Sequence, residues 1–298
     1  MIMQKTKNAI WGAIVGDAVG VPYEFLDRGS FEATDMVGMG THEQPIGTWS
    51  DDSSMMLCIL ESINENRSVD CDDIKKKFKD WAGETGYMTP HGRVFDIGNT
   101  TSQALFDMPW FDKFSDTANG NGSLMRTLPL AFCNTETPDQ FKTNICNVSE
   151  ITHGHPRSKL ACFLYCLIAK HLLNQDSFHT AYILALKEFK RSRILKIFNE
   201  ETYNFIDIMD SSILDRPENH IQSSGYVLHT LEATIWCMSN STSYKEAVLK
   251  AVNLGDDTDT TACVVGGLAG MIWGVPEDWK KQLVKHDMLD KIIYGIPE

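Results

Sequence analysis

Apolar residues recur along this chain at intervals of three and four, a period that restricts it to helices. The segments MMLCILESINEN (55–66), RSKLACFLYCLIAKHLL (157–173), HTAYILALKEFKR (179–191) and GYVLHTLEATIWCM (225–238) all carry it. Period-two alternation over strand length is nearly absent, and the Asn-Gly pairs do not fall between strand-like runs. Separating the helical segments are stretches at about 26–49, 83–100, 112–126 and 210–225, rich in Gly, Pro, Asp, Asn and Thr, the composition of turns. No fixed-period repeat and no low-complexity linker divides the 298 residues. The expected architecture is all-α: a single compact multi-helix domain over 1–298, with functional loops between the helices.

Charge and composition narrow the partners. A formal net charge of -13 argues against a general nucleic-acid binder, which presents a basic face. The basic run KEFKRSRILK (187–196) reads as the solvated face of a helix rather than an anion patch. No segment reaches the roughly 18 uninterrupted apolar residues of a membrane span, and the apolar run at 262–275 reads as a buried helix. The N-terminal MIMQKTKNAIWGAIVGDAVG lacks a secretory cleavage pattern, and Asp17 interrupts its apolar stretch. Eight cysteines are spread without CxxC pairs, and Cys162 and Cys166, on one helix face, read as buried free thiols. These features describe a cytoplasmic monomer with no membrane or nucleic-acid partner.

Two helix starts are unusually acidic. GTWSDDSSM places Ser50, Asp51 and Asp52 before one apolar helix, and LGDDTDTT places Asp256, Asp257, Asp259 and Thr260 before another. One acid at such a position is explained by capping, which contributes about 1 kcal/mol, or by the helix dipole, typically about 0.3–1 kcal/mol. Further acids have fewer amides to engage and repel the first. If the two starts converge, five aspartates share one small volume, with repulsion of about 4 kcal/mol per pair at 4 Å. A bound cation or proton uptake would offset that. The donors are all hard oxygens, carboxylates with the hydroxyls of Ser50 and Thr260, which suit magnesium, manganese or calcium rather than zinc or copper.

Other loops have the composition of binding segments. The first helix carries Asp17, read as a structural acid capping another buried loop. Pro22 ends that helix and leaves Glu24 just beyond it, either a residue for chemistry or a surface glutamate. HGRVFDIGNTTSQAL sets Asp96 before a helix start, and TANGNGSLMR sets Gly120, Asn121, Gly122 and Ser123 before another, with Arg126 following. Glycines ahead of free helix-start amides suit phosphate oxygens, although each loop alone also reads as an ordinary turn. ITHGHPRSKL adds His153 and His155, without a third ligand for zinc; one of them is a candidate contact to ligand hydroxyls or phosphates.

In order, GAIVGDAVGVPYEF, GTWSDDSSM, DIGNTTSQAL, GNGSLMR, THGHP, SGYVLHTLEATIW and GDDTDTTACVVGGLAG resemble the ADP-ribosylglycohydrolase family, over roughly residues 8–275. That family includes the bacterial enzyme that reactivates ADP-ribosylated dinitrogenase reductase. The resemblance implies an all-α fold whose central cleft holds two divalent cations, Mg2+ or Mn2+. It assigns Ser50, Asp51, Asp52, Asp257, Asp259 and Thr260 to the metals, with Ser50 where the family usually has Thr. Glu24 and Asp96 become catalytic, Asp96 facing the target side chain. Gly120, Asn121, Gly122 and Ser123 become the phosphate loop, with Arg126 as a further anion partner. His153 contacts the ligand, Tyr226 lies near the adenosine, and Asp256 is left as a cap or supporting group. The implied reaction is hydrolysis of the glycosidic bond between ADP-ribose and a protein side chain, most simply arginine, releasing ADP-ribose. A metal-dependent nucleotide phosphohydrolase and a catalytically silent ADP-ribose binder are the rival readings.

Overall fold

A computed structural model describes residues 2–83, 85–133, 135 and 137–295. Among them no β-strand occurs. The helices are α1 (Ile2–Gly20), α2 (Asp51–Asn66), α3 (Cys71–Ala82), α4 (Asn99–Leu105), α5 (Pro138–Glu150), α6 (Pro156–Leu172) and α7 (Phe178–Arg191). They continue as α8 (Arg193–Ile197), α9 (Ile206–Met209), α10 (Val227–Ser239), α11 (Tyr244–Val252), α12 (Thr258–Trp273), α13 (Glu277–Lys280) and α14 (His286–Tyr294). Among the described residues, the four stretches expected to be non-helical hold only short 3-10 turns and the first two residues of α4.

The central pair is α1 against α12. A helix apolar on all sides must be buried on all sides, and α12 is buried continuously from Thr258 to Met271. Glycines let the two backbones touch: a Cβ on Gly12 would stand 2.2 Å from the Gly266 carbonyl oxygen, and one on Gly16 would stand 2.1 Å from that of Ala262. The contacts run antiparallel, Asn8 meeting Gly270 at one end and Gly20 meeting Asp259 at the other. That register brings the end of α1, and Glu24 beyond it, to the first turn of α12. Thr258 Oγ1 locks the junction by donating to the Gly20 carbonyl at 2.8 Å. Tyr244 and Tyr165 hydroxyls donate to the carbonyls of Gly12 and Val264, so this glycine-lined seam is also braced from outside.

Two peripheral features follow the sequence reading. In the stretch 187–196 every Lys and Arg is exposed while Phe189 and Ile194 are buried, the pattern of a solvated helix face. Cys162 and Cys166 are buried and unpaired on α6.

Candidate functional site

The start of α2 is set by Asp17, which lies inside α1. Its carboxylate accepts the Ser50 N–H at 2.9 Å, the Ser53 N–H at 3.1 Å and the Ser53 hydroxyl. Asp17 is therefore the buried structural acid read from sequence, and the loop end it caps is the start of α2. Burial pushes its carboxyl up to about 7, against the lowering effect of the hydrogen bonds from Ser53 and Ser50. Ser50, the N-cap of α2, accepts from the Asp52 N–H at 3.2 Å and donates its hydroxyl to Asp52 Oδ2 at 2.9 Å.

The starts of α2 and α12 converge although some two hundred residues separate them. Thr260 Oγ1 reaches Asp52 Oδ2 at 3.4 Å. One oxygen each of Asp17, Asp52 and Asp259 lie within 4.8 Å of one another, as do one each of Glu24, Asp257 and Asp259. Asp259 belongs to both sets. Burial drives the carboxyls of Asp52 and Asp259 well above the usual range, with the charges of Asp17 and Asp257 adding at Asp52 and those of Glu24 and Asp96 at Asp259. Asp51 is raised too, by burial and then by Asp96 and Asp52. It is buried beside the cluster, outside the two close sets.

Three buried oxygens, Asp52 Oδ1, Asp257 Oδ1 and Asp259 Oδ2, have no hydrogen-bond partner. A buried carboxylate oxygen left unpaired is costly. Three of them on adjoining carboxylates, with hydroxyls alongside, are oxygen donors of the kind that could hold a metal ion. Asp17 is the member of the close sets whose two oxygens are already committed to the start of α2.

Asp256 corrects the expectation of a cap. It is exposed, sits at φ 58° and lies ahead of Asp257, which occupies the N-cap position. Its main chain is what matters: the Phe25 N–H donates to its carbonyl at 2.7 Å and its own N–H donates to Leu26 at 2.9 Å. This two-bond clip ties the Glu24 segment to the α12 start.

Glu24 is 5 % exposed. Burial pushes its carboxyl up to about 10, the charges of Asp96 and Asp257 adding. One of its oxygens lies within 4.8 Å of an Asp96 oxygen, and Oε2 hydrogen-bonds with His42 Nε2. Asp96 is half-buried in the loop before α4, with φ at 58°.

The glycine loop meets the cluster from the other side. Asn121 Nδ2 donates to Asp257 Oδ2 and to Thr230 Oγ1, both at 2.8 Å, while its N–H donates to the Gly225 carbonyl. Asn121 thus orients Asp257. Ser123 is buried, its hydroxyl accepting from Ser149. Gly120 forms an isolated bridge with Tyr226. The His153 ring lies against Gly122, where a Cβ would stand 2.9 Å from its Cε1. Burial and the charge of Arg126 push His153 down to about 3, which keeps it neutral. Half-buried Tyr226 meets His229 edge-on at 4.9 Å. His155, the N-cap of α6, accepts from the Arg157 N–H.

Arg126 overturns its expected place on an anion. It is fully buried, donates to the Gly122 carbonyl and Thr152 Oγ1, and stacks 4.7 Å over Phe78. Thr152 in turn holds His153 Nδ1 at 2.7 Å. Its guanidinium supports the two loops from behind.

His42 and Arg28 were invisible to sequence patterning. Both lie in the aperiodic stretch 26–49, where only their proximity to PYEF gave any signal. Arg28 donates Nε to the Leu254 carbonyl at 2.8 Å and its terminal nitrogens to the carbonyls of Glu218 and Ile221.

Comparison with known proteins bears on the family and the fold. The family model described as ADP-ribosylglycohydrolase matches residues 2–296. The chain is 32% identical, over 99% of its length and 81% of the relative's, to the ADP-ribosylarginine hydrolase Tri1 of Serratia proteamaculans (strain 568). It is 26% identical, over 95% of its length and 91% of the relative's, to the ADP-ribosyl-[dinitrogen reductase] glycohydrolase of Rhodospirillum rubrum. A solved structure titled ADP-ribosylglycohydrolase-related protein complex superposes with a TM-score of 0.81 at 26% identity, covering 99% of this chain and 97% of the other.

Proposed function

The chain belongs to the ADP-ribosylglycohydrolase family, a family of hydrolases, and from that premise we propose that it removes ADP-ribose from modified arginine side chains with the help of divalent cations. The observation that carries the reading is the meeting of two acidic helix starts around three orphaned carboxylate oxygens, directly beside Glu24.

Ser50, Asp51, Asp52, Asp257, Asp259 and Thr260 would hold two cations, Mg2+ or Mn2+. Bound there, they supply attachment points for ribose hydroxyls and lower the pKa of bound water. Asp17 and Asn121 hold the ligands Asp52 and Asp257 in place. Cations held by Asp257 and Asp259 would favour the ionised form of the adjoining Glu24, in which it takes the proton of the attacking water. Asp96, with an oxygen within 4.8 Å of one of Glu24's, relays that proton to the departing nitrogen, so neither carboxyl is consumed. Asp96 pairs with the guanidinium as the glycosidic bond breaks, and the acids around the anomeric carbon stabilise its oxocarbenium character. Neutral His153 and the Gly120–Gly122 backbone face the diphosphate, and Tyr226 offers a ring to the adenine.

The substrate is an ADP-ribosylated protein and a product is ADP-ribose. The working unit in this reading is a monomeric single domain in a reducing compartment, which all eight unpaired cysteines permit. Among the described residues no helix is long and apolar enough to cross a membrane.

The test is incubation with arginine-ADP-ribosylated protein, with and without magnesium or manganese, alongside Asp257→Ala. Free ADP-ribose is expected only from the wild type with metal. A label untouched under every condition sinks the arginine assignment, and release of phosphate or nucleoside monophosphate instead establishes the phosphohydrolase.

A further inference from the structure

One cluster at the mouth of the site has no part in the chemistry above. Phe25 follows Glu24 directly, is 66 % exposed and sits at φ 65°, a conformation that bulky L residues avoid. Its backbone is pinned there by the clip to Asp256 and by Arg28, three residues on, which grips the carbonyls of Leu254, Glu218 and Ile221. A large apolar ring is thus displayed to solvent from a fixed stretch of main chain, next to Glu24. It faces His42 at 5.9 Å with a 57° tilt, and His42 faces Phe95 at 5.4 Å with a 55° tilt. Phe95 precedes Asp96, whose carboxylate lies within 4.8 Å of both a Glu24 oxygen and a His42 nitrogen.

Two phenyl rings beside two acids match a planar, delocalised cation. Ring faces carry negative charge density, acids supply the countercharge, and guanidinium is weakly hydrated and stacks readily. A neutral hydroxyl acceptor would gain nothing from the same rings. We propose that Phe25 and Phe95, which flank His42, form the acceptor subsite, offering their rings to the guanidinium of the modified arginine while Asp96 engages its N–H groups and His42 fixes the spacing of the rings. This rests on the arginine reading and deepens it: these residues select the leaving group, and the metal cluster and glycine loops hold ADP-ribose.

The experiment compares Phe25→Leu, Phe25→Tyr and Phe95→Leu with wild type in two assays. One is kcat/KM on an ADP-ribosylarginine peptide; the other is calorimetric affinity for ADP-ribose, which has no acceptor, in magnesium. The leucine variants should lose about three- to thirtyfold in kcat/KM, the range of a cation–π contact, with ADP-ribose affinity retained. Phe25→Tyr, which keeps the π face, should lose less than Phe25→Leu. Unchanged kcat/KM in an active enzyme overturns the subsite alone, as does a parallel loss of ADP-ribose affinity, since that would mean the rings build the site rather than read the acceptor. A wild type that binds ADP-ribose but does not act on the arginine conjugate overturns the parent reading and the subsite with it.

Discussion

Asp259→Asn is expected to stabilise the metal-free protein and to weaken its response to metal. At the 4.8 Å that bounds the oxygens of each close set, two full charges repel by about 3.5 kcal/mol at an effective dielectric of about 20. Asp259 faces such neighbours in both sets, and partial protonation of the cluster discounts the sum. A gain of about 1–3 kcal/mol in EDTA is the working figure, or about 2–5 °C in Tm for a chain of this size. Magnesium at about a hundred times its Kd should stabilise the wild type by about 2.7 kcal/mol, or about 4 °C, and the variant by much less. Asparagine keeps the Oδ1 that accepts the Thr260 N–H at 2.9 Å, so the helix start is not disturbed. The pH dependence has a definite sign. Asp17 and Glu24 are raised to about 7 and about 10, so the folded state binds extra protons. The stability they contribute is complete below about pH 4 and is lost as pH rises through those values. In EDTA the wild-type Tm should therefore fall between about pH 5 and pH 9, and less so in magnesium, which binds the ionised carboxylates. Thermal melts followed by circular dichroism, with EDTA or magnesium across that range, read all of this. A wild type indifferent to EDTA, or an Asp259→Asn variant that melts lower in EDTA, would refute the reasoning.

Glu24→Gln should cut kcat by about 100- to 10,000-fold, the span of general acid–base loss, while magnesium still raises Tm. Asn121→Ala removes the donor to Asp257 Oδ2 and should cost about 10- to 100-fold in metal affinity or activity, read as a raised magnesium requirement. Gly16→Ala drives a Cβ to 2.1 Å from the Ala262 carbonyl and should destabilise by about 1–3 kcal/mol in denaturant melts. Arg28→Ala removes one donor from each of three carbonyls, of which those of Leu254 and Glu218 keep another, and should lower kcat more than it raises KM, with partial recovery on adding guanidinium at concentrations below those that unfold the protein.

The helices were legible because burial imprints its own period: α2, α6, α7 and α10 fall on the segments whose apolar spacing announced them. The family was legible through motif order, and the oxygen-only chemistry of the two acidic helix starts could be read directly from their residues. Convergence of the α2 and α12 starts was not, because it depends on the antiparallel register of α1 and α12, and a row of glycines states that two backbones touch without stating which. Arg126 was misread because neighbours in sequence need not share a direction: the turn after Gly122 sends its side chain inward to Thr152. His42 and Arg28 left no trace because a loop stabilised by side chain-to-carbonyl bonds has no period to detect.

The clip between Phe25, Asp256 and Leu26 is made entirely of main-chain groups. Its strength does not depend on which side chains those residues carry. Natural variation or a designer can therefore redecorate the outward face at positions 25, 42 and 95 and leave the frame that holds the acids standing. Acceptor preference becomes an exchangeable trait mounted on an inherited hydrolytic chassis.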